Sequence, residues 1–269
     1  MAEGIVIVGS SLAGLRSAEQ LRSQGWEGVI TLVGEEPYLP YNRPPLSKQA
    51  LSDARALSVK DLHATVALGL KPRLGEIAWH LGKRAVSSDL GNQRIMLDDG
   101  QELTYAGLII ATGLRSRSLP VRGGESQSYR LRNLYDAWQL AQVLTTGCRV
   151  TIAGAGFIGC ELAASATRLG CTVTVIDAAQ APLVNVMGSA FADGLLQYLQ
   201  QHGVSFHLGT RIAKIAEDDW GNLQRVVLDN DTSIDTDILV EAIGSQPNTE
   251  WLDGNGIDIA GNKGYSAED

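Results

Sequence analysis

The sequence predicts an α/β fold in two domains, each with a parallel sheet. Three observations carry the prediction. Short apolar runs alternate with stretches of helical periodicity, the pattern of strands joined by crossover helices. A unit of strand, glycine loop, helix, strand and acid occurs twice, about one domain apart. The chain has 269 residues, which at roughly 150 residues per domain makes two.

The first unit opens with Ile5-Val6-Ile7-Val8, a strand that stops at Gly9. Leu12, Leu15, Ala18 and Leu21 then recur at every third position, with Arg16, Glu19 and Arg22 between them. That spacing predicts an amphipathic helix with one face on a sheet, and Gly25 is placed to cap its C-terminus. Further strands are expected at 29–33, 108–111, 149–153, 172–176, 205–208 and 238–242. A second helix is expected at 158–169, ended by Gly170. Asp98-Asp99-Gly100 and Gly221-Asn222 are hairpin signals, and predict a small antiparallel meander after each unit. Pro37, Pro40, Pro44 and Pro45 fall within nine residues. Proline fixes φ and removes a donor, so this segment reads as a stiff loop. It is either a rigid linker or a platform presenting Arg43 and Lys48.

Composition excludes several functions. Hydrophobic residues make up 44% and charged residues 19%, a globular mixture and not a disordered one. A formal net charge of −8 argues against nucleic acid or an anionic membrane as partner. No basic leader precedes the first strand, and no run approaches the roughly 18 apolar residues of a membrane span, so a soluble cytoplasmic protein is expected. Cys148, Cys160 and Cys171 are an odd, sparse set without C-x-x-C spacing, which predicts reduced thiols and no zinc or dithiol centre. His63, His80, His202 and His207 lack metal-ligand spacing, and no metal is expected.

The second unit carries Gly154-Ala155-Gly156-Phe157-Ile158-Gly159, a full G-x-G-x-x-G between strand and helix. The first glycine makes the tight turn, the second admits a pyrophosphate to the backbone, and the third lets helix and strand pack closely. The anion would lie at the positive helix N-terminus. Asp177 ends the next strand, where an acid accepts from a ribose 2′-hydroxyl, and Ala178-Ala179-Gln180 offers no cation for a 2′-phosphate. These features predict NAD rather than NADP. The bland alternative for Asp177 is a solvated strand end. The first unit is imperfect: Gly9-Ser10-Ser11-Leu12-Ala13-Gly14 has Ser11 at the second glycine position, with Glu35 and Glu36 after the next strand. Here an ordinary strand-to-helix turn competes with nucleotide binding.

Taken together the residues resemble the FAD-dependent pyridine-nucleotide oxidoreductases. The resemblance rests on the two glycine loops, the Ala111-Thr112-Gly113 strand end, the Ala242-Ile243-Gly244-Ser245-Gln246-Pro247-Asn248 segment and the proline platform, in that order. The stretch Pro40-Tyr41-Asn42-Arg43-Pro44-Pro45-Leu46-Ser47-Lys48 is similar to the ferredoxin reductase components of Rieske-type aromatic-ring dioxygenases and cytochrome monooxygenases. Rubredoxin and putidaredoxin reductases belong to that branch.

The resemblance implies two Rossmann-like, glutathione-reductase-type domains: residues 1–113 for FAD, 114–244 for NAD, and 245–269 returning to the FAD domain. It implies that Gly9, Ser11, Leu12, Ala13 and Gly14 hold the FAD pyrophosphate and Glu35 its adenosine ribose. Arg43 and Lys48 would lie along the FAD, and Ala85 would meet the adenine. Ala111, Thr112 and Gly113 would line the crossover, with Arg132 at the flavin. Gly154, Gly156, Phe157, Ile158, Gly159 and Asp177 would hold NADH. Glu161 would lie beside the nicotinamide, with Ile243 and Gly244 opposite. Lys48 and Glu161 are the implied catalytic pair, although surface Lys and Glu are usually just solvated.

The implied activity is an NADH-dependent flavoprotein that passes electrons to a small [2Fe-2S] ferredoxin of an oxygenase system in aromatic-hydrocarbon catabolism. A cysteine near residues 41–48, which thiol-using relatives need, is lacking. None of the 30 glycines is followed by Asp. The family's closing Gly-Asp strand and its interface domain are therefore expected to be missing. The alternatives are an inactive nucleotide-binding remnant, or a reductase with rubredoxin, a quinone or oxygen as acceptor.

Overall fold

The computed structural model describes residues 4–257. The chain divides into two compact units, one of Met1–Asn42, Val66–Arg115 and Gln246–Asp269, the other of Arg43–Thr65 and Ser116–Ser245. The expected return segment, 245–269, lies partly outside the described residues.

In the first unit, β1 (Ile5–Val8) leads through α1 (Leu12–Ser23) to β2 (Ile30–Gly34), and β3 (Ala78–Leu81) follows. A meander of β4 (Ala85–Asp89), β5 (Arg94–Leu97) and β6 (Glu102–Thr104) precedes β7 (Gly107–Ile110). The sheet order is β3-β2-β1-β7, all parallel, and the meander is antiparallel. Alternation along β1 builds a core on each face. Ile7 packs with Leu15, Ala18, Ile30 and Leu32, while Val6 and Val8 pack with Ala85, Ile95, Leu97 and Trp251. Each of the Val, Leu and Ile side chains among these contributes about 1.5–3 kcal/mol when fully buried.

The helix pattern holds for Leu15 and Ala18 but not for all of its charged residues. Glu19 is buried and is bound by Arg16 and Lys71. The Arg16 hydrogen bond holds the Glu19 carboxyl below its usual range, against the burial that raises it. Arg22 donates to four backbone carbonyls, of Trp26, Gly28, Leu74 and Glu76. These two residues tie α1 to the chain that follows it and to the segment before β3. After β7, β8 (Leu114–Ser116) carries Arg115. In sequence, Arg115-Ser116-Arg117 with Arg122 is a small basic cluster that reads as a solvated face, yet Arg115 binds the Pro247 carbonyl, Asn248 and Glu250.

In the second unit the proline segment is not simply a loop. Pro44–Ser47 forms a 3-10 turn, with proline at its first positions where a missing N–H costs nothing. It runs into α2 (Gln49–Asp53) and α3 (Val59–Val66). Residues 43–65 join this unit, whereas the resemblance assigns them to the first. Gln142 donates to the Ala54 carbonyl at 2.8 Å, Trp138 to Leu57 at 3.0 Å, and Ser165 to Ser47 at 2.7 Å.

The unit continues with β9 (Ser128–Tyr129), α4 (Leu134–Val143), β10 (Arg149–Ala153), α5 (Phe157–Arg168) and β11 (Thr172–Asp177). Then come α6 (Val184–Met187), α7 (Ser189–Gln201) and β12 (Val204–Leu208). A second antiparallel meander, β13 (Ile212–Glu217), β14 (Leu223–Leu228) and β15 (Ser233–Asp235), precedes β16 (Ile238–Glu241), and β17 (Ser245–Pro247) begins the chain's return to the first unit. The sheet order is β12-β11-β10-β16-β9. Apart from β9, this repeats the first unit strand for strand, meander included.

Candidate functional site

The duplication extends to single hydrogen bonds. Gly9 N donates to the Val33 carbonyl at 2.8 Å and Gly154 N to Ile176 at 2.7 Å. Ala111 N donates to Val8 and Ala242 N to Ala153, both at 2.7 Å. The glycines do the same steric work in both loops. Gly9 and Gly154 have φ of +118° and +109°, and a Cβ there would lie 2.0 and 2.3 Å from the carbonyl oxygens of Ala111 and Ala242. A Cβ on Gly14 or Gly159 would lie 1.8 or 2.0 Å from the carbonyl oxygen of Gly9 or Gly154.

The middle position differs. A Cβ on Gly156 would meet nothing within 4 Å, so this glycine keeps space open rather than relieving a clash. Ser11 takes the same place with φ −92° and ψ −160°, close to the −77° and −173° of Gly156. An L-residue adopts this extended backbone without strain, so Ser11 costs the fold nothing. Leu12 and Phe157 open the two helices and are exposed, as are Ala13 and Ile158 after them.

The two units treat the strand-end acid differently. Asp177 accepts from Ala155 N, in the glycine loop, and from Ala179 N at 2.7 Å. Its carboxylate thus ties the loop to the end of β11. By strand register Gly34 is the counterpart of Asp177. A Cβ on Gly34 would lie 1.8 Å from the hydroxyl oxygen of Ser10. The first unit therefore fills this space with the Ser10 side chain, and its acids come later. Glu36 accepts from the Tyr41 hydroxyl at 2.6 Å, while Glu35 is exposed. Ser10 was not visible as a site residue, because only register shows what its hydroxyl replaces.

A cavity of about 740 Å³ opens at the second glycine loop, well within the range of ligand sites. Gly154, Gly156, Phe157, Ile158, Asp177, Ile243, Gly244 and Arg132 all line it. Two further lining residues escape sequence reading. Arg211 stands between β12 and β13 but shares the cavity with Asp177 and Ala178. Glu241 ends β16 and accepts from Leu119 N and the Ser128 hydroxyl.

Lys48 and Glu161 meet. Lys48 Nζ lies 2.6 Å from Glu161 Oε2, which also accepts from the Ser47 hydroxyl. Arg43 donates to the Arg132 carbonyl at 2.8 Å. A capping box of Asn133 and Asp136 starts α4, and Asp136 also accepts from Arg132 N. The Arg132 backbone is therefore held from both sides. Lys48 and Glu161 remain 47% and 35% exposed, so their pair stabilises the fold by at most about 1 kcal/mol. Glu161→Gln is accordingly expected to shift urea-unfolding stability by less than about 1 kcal/mol. A larger loss would make the pair structural.

In the first unit Ala85 is buried at the start of β4. Asn248 holds Thr112 and Gly113, with its side-chain amide on the Thr112 carbonyl and its N–H on the Gly113 carbonyl, both at 3.1 Å. Thiol chemistry is disfavoured beside the second glycine loop. Burial, then the Asp177 charge, push the Cys160 thiol up to about 11.

Two duplicated glycine loops, the second facing a cavity with an acid at its rim, define a nucleotide-binding class of architecture. The chain belongs to the pyridine nucleotide-disulphide oxidoreductase family, whose model matches residues 3–268. It is 37% identical to the anthranilate 1,2-dioxygenase system ferredoxin–NAD(+) reductase component of Burkholderia cepacia, over 96% of this chain and 62% of that one. It is 36% identical to a rubredoxin-NAD(+) reductase of Pseudomonas putida, over 91% and 63%. The crystal structure of the covalent putidaredoxin reductase–putidaredoxin complex superposes with a TM-score of 0.86 at 30% identity, over 96% of this chain and 63% of that one. The chain spans about three-fifths of the length of the curated relatives it matches. Among the described residues no helix is long and apolar enough to cross a membrane.

Proposed function

We propose that this chain binds FAD on its first unit and NADH on its second, and serves a ferredoxin–NAD reductase that delivers electrons to a small [2Fe-2S] protein of an oxygenase system. The observation that carries the reading is the repeated loop, in which matching glycines make matching contacts in both units. FAD would supply the conversion of a two-electron hydride into single electrons, which no side chain provides.

The residues of the first unit suit FAD. Gly9, Ser11, Leu12, Ala13 and Gly14 would present the helix N-terminus to its pyrophosphate. Glu35, Ala85, Ala111, Thr112 and Gly113 would complete its contacts there. On the second unit, Gly154, Gly156, Phe157, Ile158 and Gly159 would hold the NADH pyrophosphate, and Asp177 would accept from its ribose. Ile243, Gly244 and Arg132 would wall the site. Lys48 and Glu161 would orient the nicotinamide and balance charge, with Arg43 holding the Arg132 backbone.

The test is direct. NADH added anaerobically to FAD-loaded protein is expected to bleach the oxidised-flavin band at roughly 450 nm. A band that persists with NADH bound reduces the reading to nucleotide binding without turnover. If neither nucleotide binds, the reading fails entirely. Comparing a [2Fe-2S] protein with rubredoxin, a quinone and oxygen as oxidant of the reduced protein identifies the acceptor.

A further inference from the structure

Cys148 and Cys171 are 23 residues apart in sequence, and nothing in the proposed chemistry uses them. Cys148 immediately precedes β10 and Cys171 immediately precedes β11. The parallel register pairs Arg149 with Thr172, so the two cysteines stand at opposed positions. Backbone bonds bracket them, from Thr172 N to the Cys148 carbonyl at 2.9 Å and from Gly147 N to the Gly170 carbonyl at 2.8 Å. The Cys148 thiol donates to the Cys171 sulfur, with 3.7 Å between the Sγ atoms. Neighbouring strands run about 4.8 Å apart, inside the roughly 4.4–6.8 Å that a disulfide requires between Cα atoms. Closing the bond needs side-chain rotation and no new backbone path.

We propose that Cys148 and Cys171 form a reversible intrachain disulfide when the protein meets a hydroperoxide. Cys148 is half-buried and Cys171 buried, which makes Cys148 the first to react. Its sulfur takes one oxygen from hydrogen peroxide, giving a sulfenic acid and one water. The Cys171 sulfur then bonds to the Cys148 sulfur, its proton leaving with the displaced hydroxide as a second water. Two thiols lose two electrons and two protons, and one peroxide is reduced to two waters. Burial pushes the Cys171 thiol up to about 12, which disfavours its own reaction with peroxide and leaves the more accessible Cys148 to react first. The pair lies at the opposite end of β10 from the glycine loop, roughly 20 Å along the chain at about 3.3 Å per residue. The inference therefore stands independently of the dinucleotide reading.

The test uses the whole chain treated with a few equivalents of hydrogen peroxide, followed by alkylation under denaturing conditions. The intact mass is expected to fall by about 2 Da, and the alkylatable thiols to drop from all three cysteines to Cys160 alone. Dithiothreitol should restore both. Cys160→Ser should keep the crosslink, while Cys148→Ser and Cys171→Ser should each abolish it. Oxygen added to Cys148 while Cys171 stays alkylatable would overturn the proposal. So would a link to Cys160 or to a second chain. The wild-type mass change decides the matter even if a serine variant folds poorly.

Discussion

Gly156→Ala is expected to leave fold stability unchanged and weaken NADH binding at least tenfold, whereas Gly154→Ala, two residues away, is expected to destabilise the fold itself. The difference follows from what each glycine makes room for. At Gly154 a Cβ would lie 2.3 Å from the Ala242 carbonyl oxygen, on a backbone with φ +109°. Strain and overlap together are expected to cost about 2–4 kcal/mol. At Gly156 the backbone is extended and a Cβ meets nothing within 4 Å, so unfolding stability should move by less than about 0.5 kcal/mol. The added methyl instead enters the space through which a pyrophosphate would approach the helix N-terminus. A tenfold loss corresponds to about 1.4 kcal/mol. Urea unfolding and NADH titration on the same two variants check both halves. Wild-type NADH affinity in a folded Gly156→Ala protein would falsify the assignment of the second loop to the pyrophosphate.

Much of this architecture is legible in the sequence, because it depends on local rules. Gly9 and Gly154 mark the sites where β1 and β10 must turn with positive φ, and the apolar tetrad Ile5–Val8 can only be a strand buried on both faces. Asp98-Asp99-Gly100 and Gly221-Asn222 mark hairpins for the same reason. What stays hidden depends on tertiary placement. Residues 43–65 carry a proline motif that says "stiff", but their unit is decided by partners such as Trp138 and Gln142, about 80–90 positions away. Glu19 falls on the polar stripe of α1, and its burial rests on Arg16 of the same helix together with Lys71, which arrives from 52 positions away. Cys148 and Cys171 lack any motif spacing, because strand register and not sequence interval brings them together. The Lys48–Glu161 pair is legible only through resemblance, since no spacing or local motif marks the two residues, 113 positions apart, as partners.

Asp177→Ala is expected to lower NADH affinity by about 10–100-fold, the value of a hydrogen bond or two to a charged group at about 1.5–3 kcal/mol, while NADPH binding falls less. Two effects combine. The carboxylate would accept from a ribose hydroxyl, and it also ties Ala155 N to the end of β11. Its removal therefore loses a ligand contact and slackens the loop. For a 2′-phosphate the balance differs, because a carboxylate at this position repels the added charge. Removing Asp177 relieves that repulsion and leaves Arg211 in the same cavity, where a guanidinium suits a phosphate. The ratio of NADPH to NADH affinity is thus expected to rise about tenfold, roughly 1.4 kcal/mol of discrimination. Adding Arg211→Ala should return most of that gain. Fluorescence titration of both nucleotides into the single and double variants checks the argument. Asp177→Asn serves as a control, because its amide oxygen can still accept from Ala155 N without the negative charge. If Asp177→Asn restores NADH affinity and the high NADPH ratio persists, charge sets the selectivity and the loop bond sets the strength. If all variants keep the wild-type ratio, neither Asp177 nor Arg211 reads the ribose, and the selectivity lies elsewhere in the cavity.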